Sequence, residues 1–139
     1  MKAILFVGLG LWMTLLLACN KDDGPSNCEK LEGAWQLESW QEDAVELFGD
    51  TIYITSAELE FKVLTGDQGD YTLNLNYLLG GPETVIGAYV VNEDCDQVTL
   101  TPKGGIEGEV YDFHFEGDLL FMEGTINTVM IELEFKKTD

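Results

Sequence analysis

Ala57-Glu58-Leu59-Glu60-Phe61-Lys62-Val63-Leu64, then Thr65-Gly66-Asp67-Gln68-Gly69-Asp70, then Tyr71-Thr72-Leu73-Asn74-Leu75-Asn76-Tyr77 is the stretch that decides the fold. In both runs the apolar residues fall on every second position. A β-strand sends successive side chains to opposite faces, so this period of two describes strands with one dry face and one wet face. The polar hexapeptide between them, with two glycines, reads as a turn.

The same rhythm extends outward in both directions. Strands are expected at Gly33 to Trp40, Thr51 to Thr55, Ala57 to Leu64, Tyr71 to Leu79, Thr84 to Asn92, Gln97 to Thr101, Glu107 to Phe115, Leu119 to Gly124 and Ile126 to Lys136. Between many of them stand Gly80-Gly81-Pro82, Asn92-Glu93-Asp94, Lys103-Gly104-Gly105 and Glu116-Gly117-Asp118, all turn-forming. No segment after Cys28 sustains a helical stripe. The chain is therefore all-β, an antiparallel meander. It can bury its dry face by closing into an up-and-down barrel or by folding into a two-layer sandwich. Eight to nine short strands suit a single barrel whose interior holds side chains or one small ligand.

The first residues have a different character. Met1 and Lys2 precede an almost unbroken apolar run from Ala3 to Ala18, the pattern of a signal peptide. A spanning helix needs about 20 apolar residues, and this run ends at the polar Cys19-Asn20-Lys21-Asp22-Asp23. Asn20 to Ser26 contains no apolar residue and has the Gly and Pro of a flexible tether. The expected division is thus 1–18 signal, 19–27 tether and 28–139 barrel.

Leu16-Leu17-Ala18-Cys19 resembles a bacterial lipobox. The resemblance implies cleavage before Cys19 and lipid on its thiol and amino group, hence a membrane-anchored protein; two or more acyl chains hold stably where one does not. Lys21-Asp22-Asp23 is similar to the signal that sends Bacteroidetes lipoproteins to the outer face of the outer membrane, which implies display at the cell surface. With Cys19 taken by lipid, two cysteines remain in an oxidising compartment, and they are expected to form one disulfide, Cys28 to Cys95. Closing such a loop stabilises a fold by roughly 4 kcal/mol in the chain-entropy model.

Leu31-Glu32-Gly33-Ala34-Trp35-Gln36-Leu37 resembles the Gly-x-Trp opening of lipocalins, and especially of the lipocalin-like lipoproteins of Bacteroidetes. The resemblance implies that Gly33 and Trp35 help close the narrow end of the barrel, with a basic side chain across the indole. The family often uses an Arg there. This chain has no Arg, so Lys136 or Lys137 is the expected cation.

Composition narrows the function. The whole chain carries a net charge of −19; without residues 1–18 it keeps 6 Lys against 26 acidic residues, a net of −20. Such a chain repels nucleic-acid phosphates and anionic lipid headgroups. Nucleophile-base catalysis needs a Ser or Cys beside an oriented His, whereas the single histidine, His114, falls on a wet face. No carboxylate pair is marked by an apolar setting. No enzyme activity, cofactor or metal is expected. Asn92, Glu93, Asp94 and Asp96 crowd oxygens into one turn, but they lack the spacing of an EF-hand loop and read as solvated.

A binding module remains. If the barrel is open at one end, Tyr71, Tyr77, Tyr89, Tyr111 and Phe113 are expected to line an apolar cup for a small apolar or amphipathic ligand. The alternative is that the same residues pack together and fill the barrel. The protein would then be a non-catalytic interaction module, for example with an outer-membrane partner, presenting a rim of Trp40, Phe48 and Ile52.

Overall fold

The computed structural model describes residues 26–47 and 54–138. The expected signal peptide, the lipidation site Cys19 and most of the tether lie outside the described residues, as do Phe48 and Ile52 of the expected rim. A one-turn helix, α1 (Asn27–Lys30), precedes nine strands: β1 (Gly33–Glu42), β2 (Val45–Glu46), β3 (Ile54–Thr65), β4 (Gln68–Tyr77), β5 (Gly81–Val91), β6 (Gln97–Pro102), β7 (Glu109–Glu116), β8 (Leu119–Ile126) and β9 (Val129–Lys137).

From β3 to β9 each strand pairs antiparallel with its sequence neighbour, and β1 pairs with β3 on one side and with β9 on the other. That last ladder, from Trp35 opposite Lys137 to Glu42 opposite Ile131, closes an eight-stranded barrel. The two-residue β2 folds back on the end of β1 as a ninth, accessory strand. Closure leaves the eight strands no unpaired sheet edge along most of their length, which removes a common route to aggregation.

The dry face inferred from alternation is the interior. Leu59, Phe61, Tyr71, Leu75, Tyr111, Phe113, Ile131 and Phe135 are all buried in one core, while His114 and Asp112 are exposed outside. Several strand boundaries differ from expectation. The separate strand expected at Thr51 to Thr55 does not exist as such: Ile54 and Thr55 begin β3, and a register shift between Ile54 and Ser56 restores the phase of the strand across the apparent break. Residues 51–53 lie outside the described residues.

The break expected at Thr125, between a strand ending at Gly124 and one starting at Ile126, lies instead at Asn127 and Thr128, both with positive φ (49° and 72°). This is the left-handed pair that a tight two-residue hairpin requires. Gly124 stays within β8 opposite Tyr111. The β1–β2 hairpin turns in the same way at Asp43 and Ala44 (φ 47° and 64°). Its Asp43 carboxylate accepts from the Met130 amide at 3.0 Å and fastens it to β9.

Candidate functional site

The two ends of the barrel differ, and the difference begins at Ser26. Its side chain accepts from the Glu29 amide while the Glu29 carboxylate accepts from the Ser26 amide, a capping box that starts α1. The helix brings Leu31 under the barrel, where it is fully buried, and the Leu31 carbonyl accepts from Trp35 Nε1 at 2.8 Å. Trp35 also packs on Phe115, with ring centroids 5.6 Å apart.

Lys137 Nζ lies 5.0 Å from the centre of the Trp35 ring and donates to the Glu32 carbonyl at 3.0 Å. Of the two lysines expected as candidates, Lys137 takes the place over the indole. Gly33 holds a φ of +120°, and a Cβ there would meet Lys137 Cε at 3.3 Å. Gly33 and Trp35, expected to help close the narrow end, both lie at this end of the barrel beside Lys137. The disulfide between Cys28 and Cys95, expected from the cysteine count, ties α1 to the turn after β5.

That turn uses its polar groups internally. Asn92 Oδ1 accepts from the amides of Asp96 and Gln97, and Asn92 Nδ2 donates to Asp96 Oδ1 at 2.7 Å. No group of three or more potential metal ligands is found among the described residues.

At the opposite end, reached by the end of β1 and the start of β5, β7 and β9, the core loosens. Val98 and Leu120 near the sealed end have 0% exposure and Leu100 and Ile131 have 7–8%, whereas toward the other end Trp40, Leu73, Tyr77, Val85, Ile126, Val129 and Leu133 are only partly buried beside the buried Ile54, Ala57 and Leu75. Trp40 Nε1 is a buried donor with no hydrogen-bond partner. Such groups are rare, because an unmet buried donor costs about 1–3 kcal/mol. Around this end Leu78, Leu79 and Ile106 stand exposed on the β4–β5 and β6–β7 connections.

The five aromatic residues expected to line a cup all face inward, four of them in the one buried core with Tyr77 packed against it. Phe113 lies deep, edge-on to Phe115 with centroids 5.8 Å apart. Tyr89 lies edge-on to Phe61 at 5.1 Å. Burial pushes the Tyr89 phenol above its ordinary value, helped by Glu32 and Asp70.

Three of the tyrosines cover a glycine opposite them on the neighbouring strand. A Cβ at Gly87 would meet Tyr71 Cε1 at 2.6 Å, one at Gly69 would meet Tyr89 Cε1 at 2.8 Å, and one at Gly124 would meet Tyr111 Cδ1 at 2.8 Å. Each ring lies along the wall in the space that its partner leaves, so each pair occupies less of the interior than two full side chains would.

Tyr71 and Tyr111 come together around a residue that the sequence reading passed over. Glu109 shares the inner phase of β7, and its Oε2 accepts from Tyr111 Oη at 3.0 Å. Burial first, and then the Glu109 charge, raise the Tyr71 phenol above its ordinary value and the Tyr111 phenol well above it. Tyr77 forms a parallel pair at the rim, donating to Glu83 at 3.0 Å. The signal for both pairs was a Glu two residues before Tyr111, and another at an inward position of β5, where the dry phase continues to the strand end.

The outer wall also has relief. A hollow of about 600 Å³ on β7, β8, β9 and β1 is bordered by His114, Phe121, Glu123, Glu132 and Glu134, and His114 stacks on Phe121 with centroids 4.9 Å apart. A second, of about 710 Å³, lies over β3 to β6 beside Lys62, Ile86 and Lys103.

No protein-family model and no curated protein matches the sequence. Solved structures do match. A redesigned β-barrel is 12% identical with a TM-score of 0.60, covering 84% of this chain and 99% of its own. A redesigned barrel bound to DFHBI is 14% identical with a TM-score of 0.55, over 80% and 98%. The siderocalin Ex-FABP, which functions through dual ligand specificities, is 8% identical with a TM-score of 0.54, over 78% and 74%. At these identities the likeness is one of fold, and the fold is a lipocalin-like, eight-stranded antiparallel barrel closed by β1 and β9.

Proposed function

We propose that this is an exported lipoprotein, anchored through Cys19 and displayed on the outer membrane, whose barrel receives a small apolar or amphipathic molecule at the end opposite α1. The observation that carries this reading is the set of partly exposed inner-face residues gathered at that end, Trp40, Tyr77, Val85, Ile126 and Val129, opposite the fully buried Leu31, Val98 and Leu120 at the α1 end. Apolar side chains that face inward and remain partly exposed form the wall of a ligand site, with a few polar groups to orient the guest. The unpartnered Trp40 Nε1 adds a donor awaiting an acceptor. Two ligand-binding barrels among the structural matches, siderocalin and the DFHBI-bound design, agree with such a use of the fold.

The test is native mass spectrometry of the full chain extracted from membranes. The expected spectrum shows the lipidated protein together with a heavier species that loses a small molecule on activation. A single ligand-free mass, with no change in tryptophan emission when apolar probes are added, would sink the binding reading. Loss of membrane association in Cys19→Ser is expected from the anchor, and unchanged fractionation would remove it.

A second reading is supported by the interior side chains that are already fully packed, among them Trp35, Phe61, Phe113 and Phe135. In it the barrel is filled and Leu78, Leu79 and Ile106 meet a protein partner. The ligand-free outcome above favours that reading.

A further inference from the structure

At the partly exposed end of the barrel, every charged residue on an inner-facing strand position is acidic among the described residues. Glu42 shares the inner phase of Trp40, Glu83 that of Val85, and Glu109 that of Tyr111. The lysine that does share an inner phase, Lys137, is at the sealed end and committed to Trp35. An amphiphile entering this end with its tail toward Leu73 and Leu133 therefore leaves its head among carboxylates and phenols. Resting on the ligand-binding reading above, we infer that the site selects a cationic amphiphile, an ammonium head on an apolar tail, with Glu109 as the acceptor that recognises the head.

Glu109 suits that role because it is exposed at the rim yet held in place. Tyr111 Oη donates to Oε2, which leaves Oε1 for a ligand N–H. Both nearby phenols stay protonated, so they present uncharged aromatic faces to a cation and add no negative charge of their own. An anionic head would meet the same carboxylate with no Arg or Lys on the inner wall at this end, among the described residues, to offset the repulsion. The partly exposed apolar wall at Trp40, Leu73 and Leu133 gives the tail its place beside these carboxylates.

The experiment compares octylammonium, octanol and octanoate, three probes with one tail and different heads. They are titrated into the full chain held in nanodiscs of zwitterionic lipid at about 0.15 M salt, where charges beyond roughly 8 Å are screened. Binding is read as the saturable change in tryptophan emission after subtraction of empty nanodiscs. Octylammonium is expected to bind about fivefold more tightly than octanol, and octanoate about fivefold more weakly, as a partly exposed charge and ring contact allow. In Glu109→Gln the amide oxygen still accepts from Tyr111, octanol binding is expected unchanged, and the three affinities are expected to converge.

Equal affinities in the unaltered chain overturn the headgroup assignment and leave the binding site standing. A preference that survives in Glu109→Gln overturns it too, since the selection then comes from the overall charge of the chain. Saturable binding of none of the three overturns the ligand-binding reading and this inference together.

Discussion

Tyr111 shows how a single side chain links folding to pH. Its phenol is held protonated by burial and by the Glu109 carboxylate, and Tyr71 and Tyr89 are raised in the same direction. In the unfolded chain a tyrosine titrates near 10, so below that value folded and unfolded states bind the same phenolic protons. Above it the unfolded state releases protons that the folded state keeps, and stability falls as pH rises through the raised values. Denaturation midpoints are expected to stay flat with respect to these groups from pH 7 to 9 and to drop above about 10. Tyr111→Phe should reduce the alkaline slope by as much as one proton, about 1.4 kcal/mol per pH unit, while losing about 1 kcal/mol at neutral pH with the hydrogen bond. Parallel slopes in the two proteins would contradict the assignment. The paired glycines respond to bulk rather than charge. A Cβ at Gly87 would meet the Thr101 carbonyl oxygen at 2.2 Å as well as Tyr71. Gly87→Ala is expected to destabilise by about 2–4 kcal/mol, because backbone on one side and a buried ring on the other must move; an unchanged urea midpoint would contradict this. That these tyrosines face inward was legible from alternation. That they lie over glycines was not, because a glycine in a strand carries no phase of its own and the pairing depends on register between strands.

Among the elements, the seal at the α1 end rests on two cross-links of different kinds. The disulfide joins residues 67 apart, and in the chain-entropy model that loop stabilises the fold by about 4 kcal/mol. The paired Cys28→Ser and Cys95→Ser variant is expected to lose much of that in denaturant titration, and a loss under about 1 kcal/mol would mean that the helix docks without it. Lys137 contributes through the Trp35 ring and two backbone carbonyls. Lys137→Met keeps the aliphatic cover and removes the charge, with an expected cost of about 0.5–2 kcal/mol and a shift in Trp35 emission; a change in neither would count against the contact. Strand existence was readable along almost the whole chain because each strand is dry on one side only. Strand ends were less so. Asn127-Thr128 and Asp43-Ala44 turn tightly without the glycine that usually marks such a turn, and β8 runs past Gly124, expected as a strand end, to Ile126. The capping box at Ser26 and Glu29 was present as Ser-x-x-Glu, hidden in a segment whose polarity reads as tether.

For the whole molecule, the placement of the ends sets an orientation. The chain enters the barrel domain at Ser26, beside the sealed end, so lipid on Cys19 would hold that end toward the membrane and turn Trp40, Glu109 and Ile106 away from it. The seven residues from Asn20 to Ser26 reach at most about 25 Å when fully extended, and strands of eight to twelve residues add a comparable length between the two ends at about 3.3 Å per residue. A molecule arriving from outside the cell would then meet the partly exposed end first, and a strongly acidic body would keep its distance from an anionic bilayer surface. The cysteine inventory makes this measurable, since Cys28 and Cys95 are bonded to each other and Cys19 would be lipidated, leaving no native thiol to label. A nitroxide placed through Ile106→Cys is expected to be relaxed far less by a paramagnetic lipid than one placed through Asp118→Cys on the turn between β7 and β8 at the sealed end. Equal relaxation would mean that the barrel lies on its side. The reverse order would put the aromatic end against the bilayer, and a guest would then have to come from the membrane itself.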